Sequence, residues 1–319
     1  MQKPEISVVI PVFNEAESLK PLAEKLQNEL LKLQKSYEVI FVDDGSADDS
    51  LAVLAEIAAS RPEYKVISFK RNFGQTAAIA AGVEASSGEI IIPMDADLEN
   101  DPADIARLLE KLAEGYDIVS GWRQNRWAEK KFTRKIPTVI ANWLIAKVSG
   151  VKLHDTGCTL KAYRADVIKQ VKLYGEMHRF IPALASWYGA KITEIQVTYS
   201  PRQFGQSKYG LGRVFRVLLD LLVLKFLNDY SLKPIYFFGK IGFASFGLGV
   251  LTFIWATYYK VTGQKDYIQT PLPVVMVLFI AVGVILVLIG LLAEMIMRLY
   301  HQSSDQKIYT IKKKINFDK

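Results

Sequence analysis

Ile6-Ser7-Val8-Val9-Ile10-Pro11-Val12 is a short apolar run rich in β-branched residues, the pattern of a strand buried on both faces. The period then changes, and Leu19, Leu22, Leu26, Leu30 and Leu33 recur at helical spacing within Glu15–Leu33. Glu38–Val42 returns to a strand, broken by Asp43-Asp44-Gly45-Ser46, and Asp49–Ala59 reads as a second helix. Val66–Phe69, an alanine-rich helix ending near Gly88, Ile90–Met94 and Ile118–Gly121 continue the alternation. Asp101-Pro102 reads as an N-cap followed by proline at the first helical position. Such alternation predicts an α/β domain with a mostly parallel sheet, helices on both faces, and ligands beyond the carboxyl ends of its strands. The polar clusters fall at those ends: Asn14-Glu15, Asp43-Asp44, and Asp95 with Asp97.

From about Arg213 the pattern is different. Val214–Leu227 is rich in Val, Leu and Phe, interrupted by Arg216, Asp220 and Lys225, and reads as an amphipathic interfacial helix. Ile235–Tyr259 carries one charge, Lys240, and Leu272–Ala293 carries none. Each exceeds the ~20 residues that cross a bilayer. The expected organisation is a catalytic domain over 1–212, an interfacial helix and linker over 213–233, two transmembrane helices over 234–298, and a cytoplasmic basic tail over 299–319. The connection Lys260–Pro271 holds Lys260 and Lys265, with Asp266 between them and the next span. Lys225, Lys233, Arg298, Lys307 and the tail lysines Lys312, Lys313 and Lys314 lie at the other ends. The positive-inside bias therefore predicts a multi-pass protein of the inner (plasma) membrane, with its N-terminal domain and C-terminus in the cytoplasm.

Composition agrees with a chain that is part water-soluble and part lipid-embedded: 50% of its 319 residues are hydrophobic, yet 23% are charged. The net charge of +7 lacks the aromatic-basic motifs of nucleic-acid binding and fits attraction to anionic lipid. Cys158 is the only cysteine, which excludes an internal disulfide or a thiolate metal site and reads as small-residue packing. His154, His178 and His301 lack metal-ligand spacing. The N-terminus runs into a strand pattern without a signal-peptide core.

Asp95-Ala96-Asp97 follows an apolar strand. Two carboxylates one residue apart beyond a sheet edge suit a hard divalent cation, Mg²⁺ or Mn²⁺, that keeps substrate phosphates in its shell. Such an ion neutralises charge on a departing diphosphate.

Val9-Ile10-Pro11-Val12-Phe13-Asn14-Glu15, then Val42-Asp43-Asp44-Gly45-Ser46, then Asp95-Ala96-Asp97-Leu98 resemble, in order and spacing, glycosyltransferase family 2 and its GT-A nucleotide-sugar fold. Arg71-Asn72-Phe73-Gly74-Gln75, Asp155-Thr156-Gly157-Cys158 and the segment from Arg202 to Tyr209 extend the resemblance to the polyprenyl-phosphate branch of that family. It covers essentially the whole chain, the two closing apolar segments included.

The resemblance implies that Pro11, Phe13, Glu15 and Asp44 hold the nucleotide, with Asp44 facing the base, and that Asp95 and Asp97 serve the metal and diphosphate. Where the family continues with glutamine this chain has Glu99, counted here as a third metal ligand beside Asp95 and Asp97. Arg123, Arg134, Thr138 and Arg202 match positions that grip the acceptor phosphate, a task suited to the planar guanidinium fork. Asp155 is placed near the reacting carbon and counted, with Asp97, as catalytic. Its residue-level readings are a general base, a ligand of a sugar hydroxyl, or a cap before Gly157. A phosphate monoester with its second pKa near ~6 is already largely anionic at neutral pH.

The reaction implied is inverting transfer of a sugar, UDP-glucose being the leading donor, to undecaprenyl or dolichyl phosphate at the cytoplasmic membrane face. The expected partners are therefore a nucleotide-sugar, a polyprenyl phosphate and the lipid bilayer, with a homo-oligomer compatible and nucleic acid excluded. A processive polysaccharide synthase is the alternative enzyme, although it normally needs more membrane helices than two. A non-catalytic scaffold on the same fold is the other alternative, opposed by the intact Asp95–Asp97 pair and the arginines.

Overall fold

The computed structural model describes residues 3–124, 146, 150–171, 173, 177–201, 226, 230, 233–302 and 308–317. Its chain divides into two compact units, one of residues 1–222 with 307–319, the other of residues 223–306.

In the first unit, β1 (Ile6–Val12), α1 (Ala16–Lys32), β2 (Tyr37–Asp43), α2 (Ser50–Ser60), β3 (Tyr64–Phe69), α3 (Gln75–Ala85) and β4 (Ile90–Pro93) alternate as the hydrophobic pattern predicts. They are followed by α4 (Asp104–Ala113), β5 (Ile118–Trp122), β6 (Lys161–Arg164), the short α5 (Ala165–Ile168), α6 (Ile181–Ser186) and β7 (Ile192–Gln196). With β8 (Ile311–Ile315), the described strands form one sheet in the order β7-β5-β6-β4-β1-β2-β3-β8. The central pairs β4–β1, β1–β2 and β2–β3 are parallel, as is β5–β7. β6 runs antiparallel between β4 and β5. This is the GT-A-type α/β arrangement, and it aims the β1, β2, β3 and β4 carboxyl ends at one edge.

Both sheet faces are covered. Leu19, Leu22, Leu26 and Leu30 of α1, with Ile105, Leu108 and Leu112 of α4, pack on Ile6, Val8 and Ile10. On the opposite face Ala77, Ala78 and Ala81 of α3 meet Ile40, Val42, Ile67 and Phe69. Small residues let α3 lie close to the sheet: a Cβ on Gly82 would stand 2.2 Å from Val9 Cγ1.

The basic C-terminus departs from the expected tail. Residues 311–315 form β8, antiparallel to β3 at the sheet edge. Tyr309 stacks on Phe69 with ring centroids 4.9 Å apart, and Asn316 Nδ2 donates to the carbonyls of Ala58 and Tyr64 at 2.7 and 2.8 Å. The driving force is the open hydrogen-bonding edge of β3 together with the apolar seat for Tyr309. The exposed Lys312, Lys313 and Lys314 on β8 then discourage further strand addition.

The second unit contains α7 (Ile235–Val261) and α8 (Leu272–Gln302). Ile235–Val261 and Leu272–Ile296 are long and apolar enough to cross a membrane. The helices meet where glycines remove bulk: a Cβ on Gly242 would lie 3.0 Å from the Gly283 carbonyl oxygen. Ser245 Oγ donates to the Phe279 carbonyl at 2.7 Å, so its hydroxyl is satisfied within the pair. The predicted interfacial helix, Val214–Leu227, lies outside the described residues apart from position 226.

Candidate functional site

The loops after β1 and β2 are stitched together by side chains acting on backbone. Asn14, in the left-handed region at φ 55°, donates its N–H to Ser46 Oγ at 3.0 Å and accepts from the Ala47 N–H through Oδ1 at 2.8 Å. The Glu15 N–H donates to Ser50 Oγ at 3.0 Å. These bonds fix the segment that carries Phe13 and Glu15, both half-buried, while Pro11 is half-buried on β1 itself.

The paired aspartates after β2 divide their work. Asp43 accepts from the Ser46 N–H at 3.0 Å and from Ser68 Oγ at 2.8 Å, which shapes the turn. Asp44 accepts the Phe73 and Gly74 N–H groups at 2.7 and 2.9 Å. Burial pushes its carboxyl above the usual range, although these amides pull the other way. Gly45 is required directly after them: at φ +69°, a Cβ there would stand 2.4 Å from the Arg71 backbone carbonyl carbon.

Beyond β4 the Asp95 carboxylate is held at both oxygens. Gln75 Nε2 donates to Oδ1 at 2.8 Å and Thr159 Oγ1 to Oδ2 at 2.7 Å. Burial, then the neighbouring Asp97, raise its pKa to about 6. Asp97 accepts the Glu99 N–H at 3.1 Å, closing a turn in which Leu98 adopts φ 62°. Two acids crowded this way fit a divalent cation, since a positive ion would offset both the burial and their mutual repulsion. Among the described residues no three His, Cys, Asp or Glu side chains gather as a metal cage. Glu99, expected as a third ligand, has Oε2 3.6 Å from Arg123 Nη1. A cation held by Asp95 and Asp97 would also draw water and substrate oxygens into its shell, as Mg²⁺ commonly does.

Arg123 is buried, 3% exposed, and grips Asp155 by two points: Nε to Oδ2 at 2.8 Å and Nη2 to Oδ1 at 3.3 Å. Asp155 Oδ1 also accepts the Gly157 N–H at 3.1 Å, so the capping reading holds alongside the charge pair. The structure thus brings Asp95, Asp97, Glu99, Arg123 and Asp155 into one charged network. Arg134, Thr138 and Arg202 lie outside the described residues.

Several participants carried no sequence signal of their role. Gln75 stands inside a quoted motif, and Thr159 directly follows another, but only the fold brings both to Asp95. Lys161 is buried and donates through Nζ to the carbonyls of Cys158 and Thr156, the latter at 3.3 Å. Burial lowers its pKa. His178 Nδ1 shares a 2.8 Å hydrogen bond with Thr76 Oγ1 beside Gln75. Burial raises the pKa of Cys158, in keeping with packing.

Residues 7–172 match the family described as Glycosyl transferase family 2. The dodecaprenyl-phosphate galacturonate synthase of Rhizobium johnstonii is 40% identical over 316 residues, covering 98% of this chain and 93% of that protein. The undecaprenyl-phosphate 4-deoxy-4-formamido-L-arabinose transferase of Klebsiella pneumoniae is 36% identical over 310 residues, 97% of this chain and 93% of that one. Among solved structures, the glucosyl-3-phosphoglycerate synthase of Mycobacterium tuberculosis in complex with Mn²⁺ and UDP-glucose aligns with a TM-score of 0.54 at 18% identity. That alignment covers 70% of this chain and 79% of the other, and it shows a shared fold. The chain belongs to glycosyl transferase family 2 and is a glycosyltransferase.

Proposed function

We propose that this enzyme transfers a sugar from a nucleotide-sugar to a polyprenyl phosphate, with inversion, at the cytoplasmic face of the inner membrane. What supports the acceptor is the similarity to relatives named for polyprenyl phosphates along nearly their whole length, hairpin included. The chemistry rests on the network from Asp95 through Glu99 and Arg123 to Asp155. An oxygen of the acceptor phosphate attacks the anomeric carbon; the bond to the nucleoside diphosphate breaks, and its electron pair leaves with the diphosphate.

In this reading Pro11, Phe13, Glu15 and Asp44 hold the nucleotide, and Asp95 and Asp97 hold Mg²⁺ or Mn²⁺. When bound, the cation would neutralise charge on the leaving diphosphate. Asp155 takes two of the five N–H donors of Arg123 and Nη1 stands 3.6 Å from Glu99 Oε2; in this reading the donors left over serve the acceptor phosphate together with Arg134, Thr138 and Arg202. Asp155 orients that guanidinium; the already anionic nucleophile needs no dedicated base.

The orientation rests on the lysine and arginine bias and on the path of the chain. It leaves the first unit, forms the two apolar helices, and returns to that unit as β8. A two-span hairpin with this connectivity has both ends on one side of the bilayer.

Purified protein incubated with polyprenyl phosphate and labelled UDP-glucose, UDP-galacturonate or UDP-4-deoxy-4-formamido-arabinose tests the reading. UDP-glucose is the sequence-based expectation, and the other two carry the sugars for which the relatives are named. The expected product is a lipid with one sugar; a polymer, or no lipid product from any donor, refutes the proposal.

A further inference from the structure

Asp95 sits at the crossing of two chain segments distant in sequence. Gln75, at the start of α3, reaches Oδ1, and Thr159, just before β6, reaches Oδ2, at 2.8 and 2.7 Å. Each carboxylate oxygen has two lone pairs, so one on each stays open toward a cation. The donors define which pair that is, because they fix the plane of the carboxylate.

The segment supplying Thr159 is itself fastened. Lys161 buries its ammonium under the turn and donates to the carbonyls of Thr156 and Cys158. At its other end the same turn carries Asp155, the partner of Arg123. Cys158 Sγ lies 3.6 Å from Asn100 Oδ1, a further tie to the loop beyond β4. A freely rotating carboxylate would have to be ordered when the ion arrives; here that ordering is complete beforehand.

We propose that Gln75 and Thr159 are a pair of positioning residues that hold the Asp95 carboxylate in its cation-binding orientation. This rests on the reading of Asp95 and Asp97 as a divalent-cation site. Neither residue touches the reacting atoms. Both act through Asp95, and their effect belongs to cation affinity before it belongs to turnover.

The test is Mn²⁺ binding to the full-length protein in detergent with UDP present, followed by the electron paramagnetic resonance of free Mn²⁺. Thr159→Val keeps the shape and removes the hydroxyl, and Gln75→Met keeps the length and removes the donor. Each is expected to weaken Mn²⁺ binding by about 10–100-fold, the usual loss when a ligand's orienting partner is removed. Thr159→Ser restores the hydroxyl and should return affinity to near that of the unaltered protein. UDP binding without Mn²⁺, measured by calorimetry, should be the same in all three variants. Unaltered Mn²⁺ affinity in either Thr159→Val or Gln75→Met overturns the proposal, as does a Thr159→Ser variant as weak as Thr159→Val. Absence of Mn²⁺ binding by the unaltered protein overturns the cation site itself and this inference with it. Acceptor specificity plays no part in these measurements, so a wrong acceptor assignment leaves their outcome unchanged.

Discussion

The Arg123 guanidinium and the Asp155 carboxylate form a two-point pair beneath the site, at 2.8 and 3.3 Å. The arginine side chain is 2% exposed and that of the aspartate 12%. Removing Asp155 leaves the buried Arg123 charge with only the longer contact to Glu99, at 3.6 Å, whereas removing both members takes that buried cation away as well. Asp155→Ala should therefore destabilise the folded protein by about 3–5 kcal/mol. The double variant Asp155→Ala/Arg123→Met should lose less than the sum of the single losses. Urea unfolding of the four proteins measures this, and strict additivity would show that the pair is not coupled.

Chelation should abolish transfer, and Asp97→Asn should lower kcat by orders of magnitude while leaving the fold intact by circular dichroism. Full activity in excess chelator would remove the cation from the reaction.

The raised pKa of Asp95, about 6, gives cation binding a pH dependence whose sign follows from competition. Below that value the carboxyl holds its proton, which a cation must displace; above it the site is already anionic. Mn²⁺ affinity should fall as pH is lowered through about 6. Without cation, the same shift makes the ionised group a burden on the fold. Its folded-state pKa lies above its unfolded value near 3.9, so its contribution to stability declines as pH rises from about 4 to about 6. Calorimetric Mn²⁺ titrations across this range check the first statement, and thermal melts in chelator check the second.

Arg202→Ala should retain nucleotide-sugar binding and lose transfer to polyprenyl phosphate. The expected loss is roughly 2–5 kcal/mol in acceptor use, with lysine rescuing in part because it keeps the charge but not the fork. Calorimetry with donor, paired with acceptor titrations, separates the two substrates. Loss of donor affinity with unchanged acceptor dependence would assign Arg202 to the donor.

In sealed cells, a membrane-impermeant maleimide should label Gln264→Cys from outside and leave Lys313→Cys unlabelled. The opposite pattern would invert the proposed orientation, and labelling of both would argue against the two spans.

The alternation around β1 and β2 was legible because strand burial and helix amphipathicity write different periods into the sequence. The position of Asp44, Asp95 and Asp97 after β2 and β4 was legible because the apolar strand runs stop just before them. The 155–159 turn was only half visible. Asp155 stood in a motif, yet its grip on Arg123 joins residues on separate segments, and no local period encodes such a contact. Lys161 gives no local sign of lying buried beneath a turn. β8 was hidden for a different reason: three consecutive lysines read as a solvated tail, and only the open edge of β3 makes them a strand.

That last strand has a consequence for biogenesis. β3 leaves the ribosome early, but its edge partner β8 is encoded after both apolar helices. The sheet therefore stays one strand short until hairpin synthesis is over, and its β3 edge is sealed only by residues translated after the hairpin. Completion of the sheet-bearing unit is thus timed by translation of the unit that holds the two long apolar helices.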